Sequence, residues 1–345
     1  MKVGIVADTH YANHPYEGGD LVDGVNRRCR EMLDVLRYVG KTFKHDVLVV
    51  AGDVFNSDRP TGPIVAALAD VLHGPEFEQT FTYLMVGNHD MRSMTRHDNA
   101  LAPLNWATAC RVVDSPTVMR EDPSIWLVPF GYDPIAMEPP AGTKVVIAHH
   151  GIWGEETPGF LRTGTARDSD LILDWSNKYG IERYYAGDWH TRQGYHGGRV
   201  VQIGALCPVS FANPGADGYG TVLTLERPEG DHLSRRGGHL VRVDIAPGPR
   251  FIQAEMASLL PALRTGDIGY ARVKVGGVHP AKYRVVEVLA EDDRPRQAVA
   301  ATTSPTNARQ ALQDFIAKDP AIPLDLKARV YDRAVDYLTK AEASE

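Results

Sequence analysis

Short, unbroken apolar runs alternate with helical periodicity over the first 90 residues. The runs VGIVA (3–7), DVLVVA (46–51) and FTYLMV (81–86) each end in a polar cluster, and between them lie an amphipathic stretch at 24–40 and a second helical stretch near 62–73, with Pro60 and Pro63 at its start. Strands that read as continuous Val and Ile runs are covered on both faces, so the pattern predicts an α/β core rather than a half-exposed antiparallel sheet. IWLVP (125–129), KVVIAHH (144–150), RYYAG (183–187) and RVVQIG (199–204) extend the same sheet system. YGTVLTLE (219–226) and HLVRVDI (239–245) read as a hairpin with a charged, glycine-containing turn.

The texture changes near residue 257. ASLLPALRTGDIG (257–269) reads as a linker or short helix, and YARVKVGG (270–277) with RVVEVLA (284–290) as a small sheet. After Pro305 the apolar positions Ala308, Ala311, Leu312, Phe315 and Ile316 follow helical spacing, and a break at Pro320 and Pro323 precedes a second amphipathic stretch. The expected organisation is a main domain at 1–256, a small cap at 257–303 and a helical tail at 304–345.

Composition narrows the picture. The 345 residues carry a formal net charge of −7, so long-range attraction to nucleic acid is absent and an anionic substrate must be met by a local patch or by bound cations. The three cysteines, Cys29, Cys110 and Cys207, are far apart and form no metal or disulfide pattern. With neither a leader-like nor a membrane-length apolar run, the expectation is a cytoplasmic chain with no membrane attachment.

Five polar clusters directly follow predicted strands: Asp8-Thr9-His10, Gly52-Asp53, Gly87-Asn88-His89-Asp90, His149-His150 and Gly187-Asp188-Trp189-His190. The carboxyl ends of strands in an open α/β sheet line one crevice, so these distant residues are expected to converge. Oxygen and imidazole donors without thiolate suit Mn²⁺, Mg²⁺, Fe²⁺ or Zn²⁺ in a working site rather than a structural zinc. Each cluster alone is a weak signal: G-D after a strand is usually a turn, and a lone histidine pair is usually a satisfied strand end. Their common position and order carry the inference.

That series resembles the calcineurin-like metallophosphoesterase superfamily over roughly residues 1–226. GDVFNSDRP after the second strand, and the helix at 24–40, resemble the double-strand-break repair nuclease branch of bacterial SbcD and phage recombination subunits. The resemblance implies a two-sheet α/β/β/α sandwich with a small α/β cap and a C-terminal helical tail. It implies a first metal held by Asp8, His10 and His190, a second held by Asn88, His149 and Asp188, and Asp53 bridging them. Two cations about 4 Å apart clamp a phosphodiester and activate a water for in-line attack. His89 would serve the leaving oxygen, oriented by Asp90. It further implies two divalent ions, Mn²⁺ foremost, DNA as substrate, an SMC-type (SbcC-like) ATPase partner gripped by the tail, and a homodimer.

One position departs from that family's pattern, G-H-x-H: Asp188 stands where the first histidine is expected. An aspartate adds charge and favours a harder ion, and with Asp8 and Asp53 brings the ligands to −3 against +4. His150 rivals His149, although A-H-x-G-I favours His149. Arg27, Arg28 and Arg30 are candidates for DNA phosphates or a solvated helix face, with Arg162, Arg167, Arg192 and Arg199 on similar terms; Trp153, Trp175 and Trp189 read as core or pocket wall. Two other functions fit the same motifs: a phosphodiesterase or phosphatase for a nucleotide or other small phosphoester, and a non-catalytic binding subunit with a degraded second site.

Overall fold

The computed structural model describes residues 1–14, 21–93, 97–106, 110–155, 157, 166–207 and 220–226, together with the backbone of strands at 240–246, 250–254, 269–274 and 284–289. The chain divides into Met1–Glu291 and Asp292–Glu345. The tail expected at 304–345 lies outside the described residues, as do Arg162 and most of the cap expected at 257–303.

The first half forms Lys2–Val6 (β1), Arg27–Phe43 (α1), Val47–Val50 (β2), Gly62–Leu72 (α2), Phe81–Met85 (β3) and Cys110–Val113 (β4). Then come Thr117–Val118 (β5), Ile125–Val128 (β6), Val145–His149 (β7), Ser169–Tyr179 (α3), Arg183–Gly187 (β8), Gln193–Tyr195 (β9) and Val200–Gln202 (β10). Gly220–Glu226 (β11) and Leu240–Ala246 (β12) make the expected antiparallel hairpin.

Two six-stranded sheets result, ordered β12-β11-β1-β2-β3-β4 and β9-β10-β8-β7-β6-β5. Four consecutive strands of each sheet run parallel, β1, β2, β3 and β4 in the first and β6, β7, β8 and β10 in the second, while β11 pairs antiparallel with both β1 and β12. A third sheet of three parallel strands, Arg250–Ala254 (β13), Gly269–Lys274 (β14) and Arg284–Leu289 (β15), begins before residue 257.

The unbroken apolar runs are explained by three buried clusters. Val3, Ile5, Val47, Val49, Met85, Leu127, Val145, Ile147 and Tyr185 form the seam between the two sheets. Val6, Leu48, Val50 and Leu84, on the other face of the first sheet, pack on Met32, Leu36 and Val39 of α1 and Leu68 of α2. Val146, Ala148, Tyr184 and Val200 of the second sheet pack on Ile172 and Trp175 of α3. Every inner strand therefore buries both of its faces, and the layers run helix, sheet, sheet, helix. Burial of that kind stabilises by about 25 cal/mol for each Å² of apolar surface removed from water.

The helix expected to begin at 24 begins at Arg27, because Asn26 stops it. The Asn26 side chain accepts from Cys29 N at 2.9 Å, capping the first turn, while residues 25–26 are held in a two-residue strand. The far end stops at Lys44, in the left-handed conformation at φ 47°. Among the described residues no helix is long and apolar enough to cross a membrane.

Candidate metal centre

The five clusters do converge. β1, β2 and β3 of the first sheet and β7 and β8 of the second all present their carboxyl ends to the same crevice, and Asp8, His10, Asp53 and His149 are all nearly solvent-free there. The loops are stitched by main-chain bonds: Asp8 N donates to Gly52 O at 3.1 Å and His10 N to Asp53 O at 3.0 Å. Crowding sets the glycine positions. A Cβ on Gly52 would collide with His149 Nδ1, and one on Gly87 with Asp53 Oδ1.

Of the seven non-glycine residues with positive φ among those described, four are expected ligands: Asp8 at 52°, His10 at 46°, Asp53 at 50° and Asp188 at 98°. Left-handed backbone is disfavoured for most side chains with a Cβ, and its concentration here marks loops bent sharply to bring their side chains together.

On one side, His10 Nε2 and His190 Nε2 face each other at 2.9 Å. Asp8 joins them: one donor atom from each of Asp8, His10 and His190 lies within 4.8 Å of the others. On the other side, His149 Nε2 lies 3.3 Å from Asp53 Oδ1. The Asn88 carboxamide sits among acceptors. One of its terminal atoms is 3.0 Å from His149 Nε2, 3.3 Å from Asp53 Oδ1 and 3.2 Å from Asp188 Oδ1. As nitrogen it donates to the Asp53 and Asp188 carboxylates; as oxygen it accepts from His149 Nε2–H and joins these groups around a point suited to a cation. Asp53 belongs to both sides, with Oδ1 toward His149 and Oδ2 3.7 Å from His10 Nε2. Asp188 points its carboxylate at the Asn88 side while its backbone N donates to Asp8 Oδ1 at 2.9 Å.

The electrostatics describe a site short of positive charge. Burial raises the Asp8 carboxyl well above its ordinary value, and the neighbouring Asp53 and Asp188 add to the rise against the pull of His149. Burial likewise raises Asp188. Burial also pushes His10 down to about 3 and lowers His190, so both are neutral imidazoles able to ligate. For His149 burial opposes the charge, but Asp53, through charge and hydrogen bond, and then Asp8 overcome it and push the ring up to about 10. For Asp53 burial is outweighed by His149 and His10, which hold the carboxyl well below its usual range. The negative charge of Asp53 and Asp8 thus draws positive charge to His149, at a place where oxygen and imidazole donors without sulfur would accept a divalent ion.

His149 and His150 separate. His149 Nδ1 is held by Ala51 O at 2.7 Å with Nε2 turned to the crevice. The His150 ring points to the α3 side and its Nε2 meets Tyr184 OH at 2.6 Å.

Asp90 requires a correction. Its expected task was to orient His89, yet its carboxylate turns the other way and accepts three backbone N–H groups: Val54 at 3.1 Å, Phe55 at 2.9 Å and Gly87 at 2.9 Å. It clamps the Asp53 loop to the Asn88 loop. Orientation of His89 comes from the Asn56 carbonyl, 3.1 Å from Nδ1. No sequence signal points to Asn56, because any residue type offers a backbone carbonyl. Arg28 needs correction too: it is fully buried rather than on a surface that could meet DNA. Arg30 donates to Val25 O at 2.6 Å, Arg167 pairs with Asp133 at 3.0 Å, and Arg199 bonds Asn177 at 2.9 Å. Trp175 is core, as expected, and Trp189 packs on Gly151.

No curated protein matches the chain. The model of the calcineurin-like phosphoesterase family matches residues 1–192, which hold all seven expected metal ligands. Together with the two-sheet sandwich and a crevice of oxygen and imidazole donors, the match assigns the chain to the calcineurin-like phosphoesterase family, whose members hydrolyse phosphoesters with the help of divalent metal ions.

Proposed function

We propose that the chain is a two-metal phosphodiesterase that cleaves DNA, a nuclease subunit of SbcD type. The observation that carries the two-metal reading is Asp53, whose two carboxylate oxygens turn to separate donor groups. Asp8, His10 and His190 would hold one ion; Asn88, His149 and Asp188 would hold the other. When bound, the pair would neutralise phosphodiester oxygens and acidify an attacking water. Three carboxylates among the ligands favour a hard ion, Mn²⁺ before Mg²⁺, Fe²⁺ or Zn²⁺. The protein's own contribution to bond breaking is His89. Its Nδ1 faces a carbonyl and so carries hydrogen; with a second proton on Nε2, the imidazolium would deliver that proton to the departing oxygen and remain held through Nδ1.

Support for DNA comes from the resemblance of Gly52–Pro60 and of the helix expected at 24–40 to the repair-nuclease branch. On this reading the chain works in the cytoplasm, as a homodimer, with an SMC-type ATPase bound by residues 304–345. The test is incubation of the purified chain and Mn²⁺ with single- and double-stranded DNA and with bis-p-nitrophenyl phosphate. Cleavage of DNA is expected. Hydrolysis of the small diester with both DNAs intact would move the assignment to a small phosphoester, the reading favoured by the net charge of −7. Inactivity on all three, with fewer than two ions per chain, would leave a binding subunit.

A further inference from the structure

His89 lacks a packed environment of its own. Its side chain is 43% exposed, with Nε2 4.0 Å from Asp53 Oδ2 and the ring edge-on to His10 at 4.9 Å. Rotation of the ring about its side-chain bonds is fixed chiefly by the hydrogen bond from Nδ1 to Asn56 O. A proton donor is only as well aimed as this acceptor is well held.

Asn56 lies in an irregular segment, and its own N–H makes a long bond of 3.4 Å to Tyr11 O. The segment is fastened on both sides of Asn56 by the loop that carries His89. On the near side, Asp90 Oδ1 accepts from Phe55 N at 2.9 Å. On the far side, Arg92 Nε donates to Asp58 O at 2.9 Å. Arg92 is in turn held by Asp98: its N donates to Asp98 O at 3.0 Å, and its Nη1 lies 3.8 Å from Asp98 Oδ1. His89 and the carbonyl that orients it are therefore joined into one unit by the residues one and three places after His89.

We infer that Arg92 is a positioning residue for proton transfer: by pinning Asp58 O it keeps the Asn56 carbonyl where it aims His89 Nε2 at the leaving oxygen. The inference rests on the role of His89 given above. In the step concerned, the attacking water gives up one proton to solvent as its oxygen forms the new bond to phosphorus, the old phosphorus–oxygen bond breaks, and the departing oxygen takes the electron pair and the Nε2 proton of a His89 protonated on both ring nitrogens, leaving the neutral Nδ1–H ring to regain a proton from solvent. A leaving group that is stable as an anion has no need of that proton.

The experiment compares two substrates with and without that need, a dinucleotide and bis-p-nitrophenyl phosphate, for the wild type, His89→Ala, Arg92→Ala and Arg92→Lys. Bound ions per chain are counted in each. Arg92→Ala should lose about tenfold in kcat on the dinucleotide, against about a hundredfold or more for His89→Ala. It should keep its rate on the p-nitrophenyl diester and its full complement of ions, and Arg92→Lys, which retains a donor, should recover most of the loss. Equal losses on both substrates, loss of ions, or no loss at all would each overturn the inference. Should the alanine chain prove unstable, Arg92→Met, which keeps the length of the side chain but has no donor, carries the same comparison. If His89→Ala itself loses equally on both substrates, the failure belongs to the role of His89 and not to Arg92.

Discussion

Asp53 Oδ1 lies 3.3 Å from His149 Nε2, while the other oxygen of the same carboxylate turns to His10. One residue thus tethers two donor groups, each built from both sheets. Asp53→Asn should weaken both ions together, by more than the roughly 10–100-fold that follows loss of an outer partner, and hydrolysis should fall with them. Metal counting by atomic emission checks this; loss of only one ion would show that Asp53 serves a single site.

Asp188 is expected to act on one ion alone. Asp188→Asn keeps size and backbone but removes a charge, so the second ion should weaken by about 10–100-fold while the first is retained. Asp188→His, with a softer donor, should shift the preference of that ion from Mn²⁺ toward Zn²⁺. Competition titrations read both. Unchanged affinities in both variants would remove Asp188 from the ligand set.

The adjacent histidines give a paired control. His149→Ala should abolish binding of the second ion. His150→Ala breaks the 2.6 Å contact with Tyr184 OH on the α3 side and should lower stability by about 1–3 kcal/mol with both ions retained. Urea unfolding and metal counting, run side by side, distinguish the two.

Asp90→Ala should fail in stability before it fails in chemistry. It leaves Val54 N, Phe55 N and Gly87 N without their acceptor in a fully buried place, at about 1–3 kcal/mol for each group. The unfolding midpoint in urea should drop sharply in the metal-free protein as well as in the loaded one. A variant as stable as the wild type would contradict the clamp.

Removing metal should itself destabilise. Ions that bind only the folded chain stabilise by about 2.7 kcal/mol at a hundred times their Kd, so a chelator should lower the melting temperature by several degrees and Mn²⁺ should restore it. A melting temperature indifferent to Mn²⁺ would argue that the crevice binds no ion.

Much of the fold was legible because burial on both faces leaves a direct mark: a strand such as DVLVVA has no polar phase to spare. The site was legible for a related reason, since parallel strands deliver their following residues to one end of the sheet. What escaped was direction. Gly87-Asn88-His89-Asp90 reads as one polar group, yet its consecutive side chains diverge: Asn88 turns to the cluster, His89 to Asn56, and Asp90 back into the main chain. Arg28 looks like its neighbours Arg27 and Arg30 in a run of charge, but it falls on the inner face of α1 beside Cys29 and Met32. The Asn56 carbonyl could not be found from residue types, because what matters is where the backbone points.

The left-handed turns at Asp8, His10, Asp53 and Asp188 also limit the vocabulary available to these loops. Outside glycine, the residue types that tolerate such a backbone best are asparagine, aspartate and histidine, and the same three are among the good oxygen and imidazole donors. Chain geometry and coordination chemistry thus filter for one short alphabet. An aspartate at position 188 in place of a histidine stays inside it, so the loop can change the hardness of its donor without changing the path of its backbone.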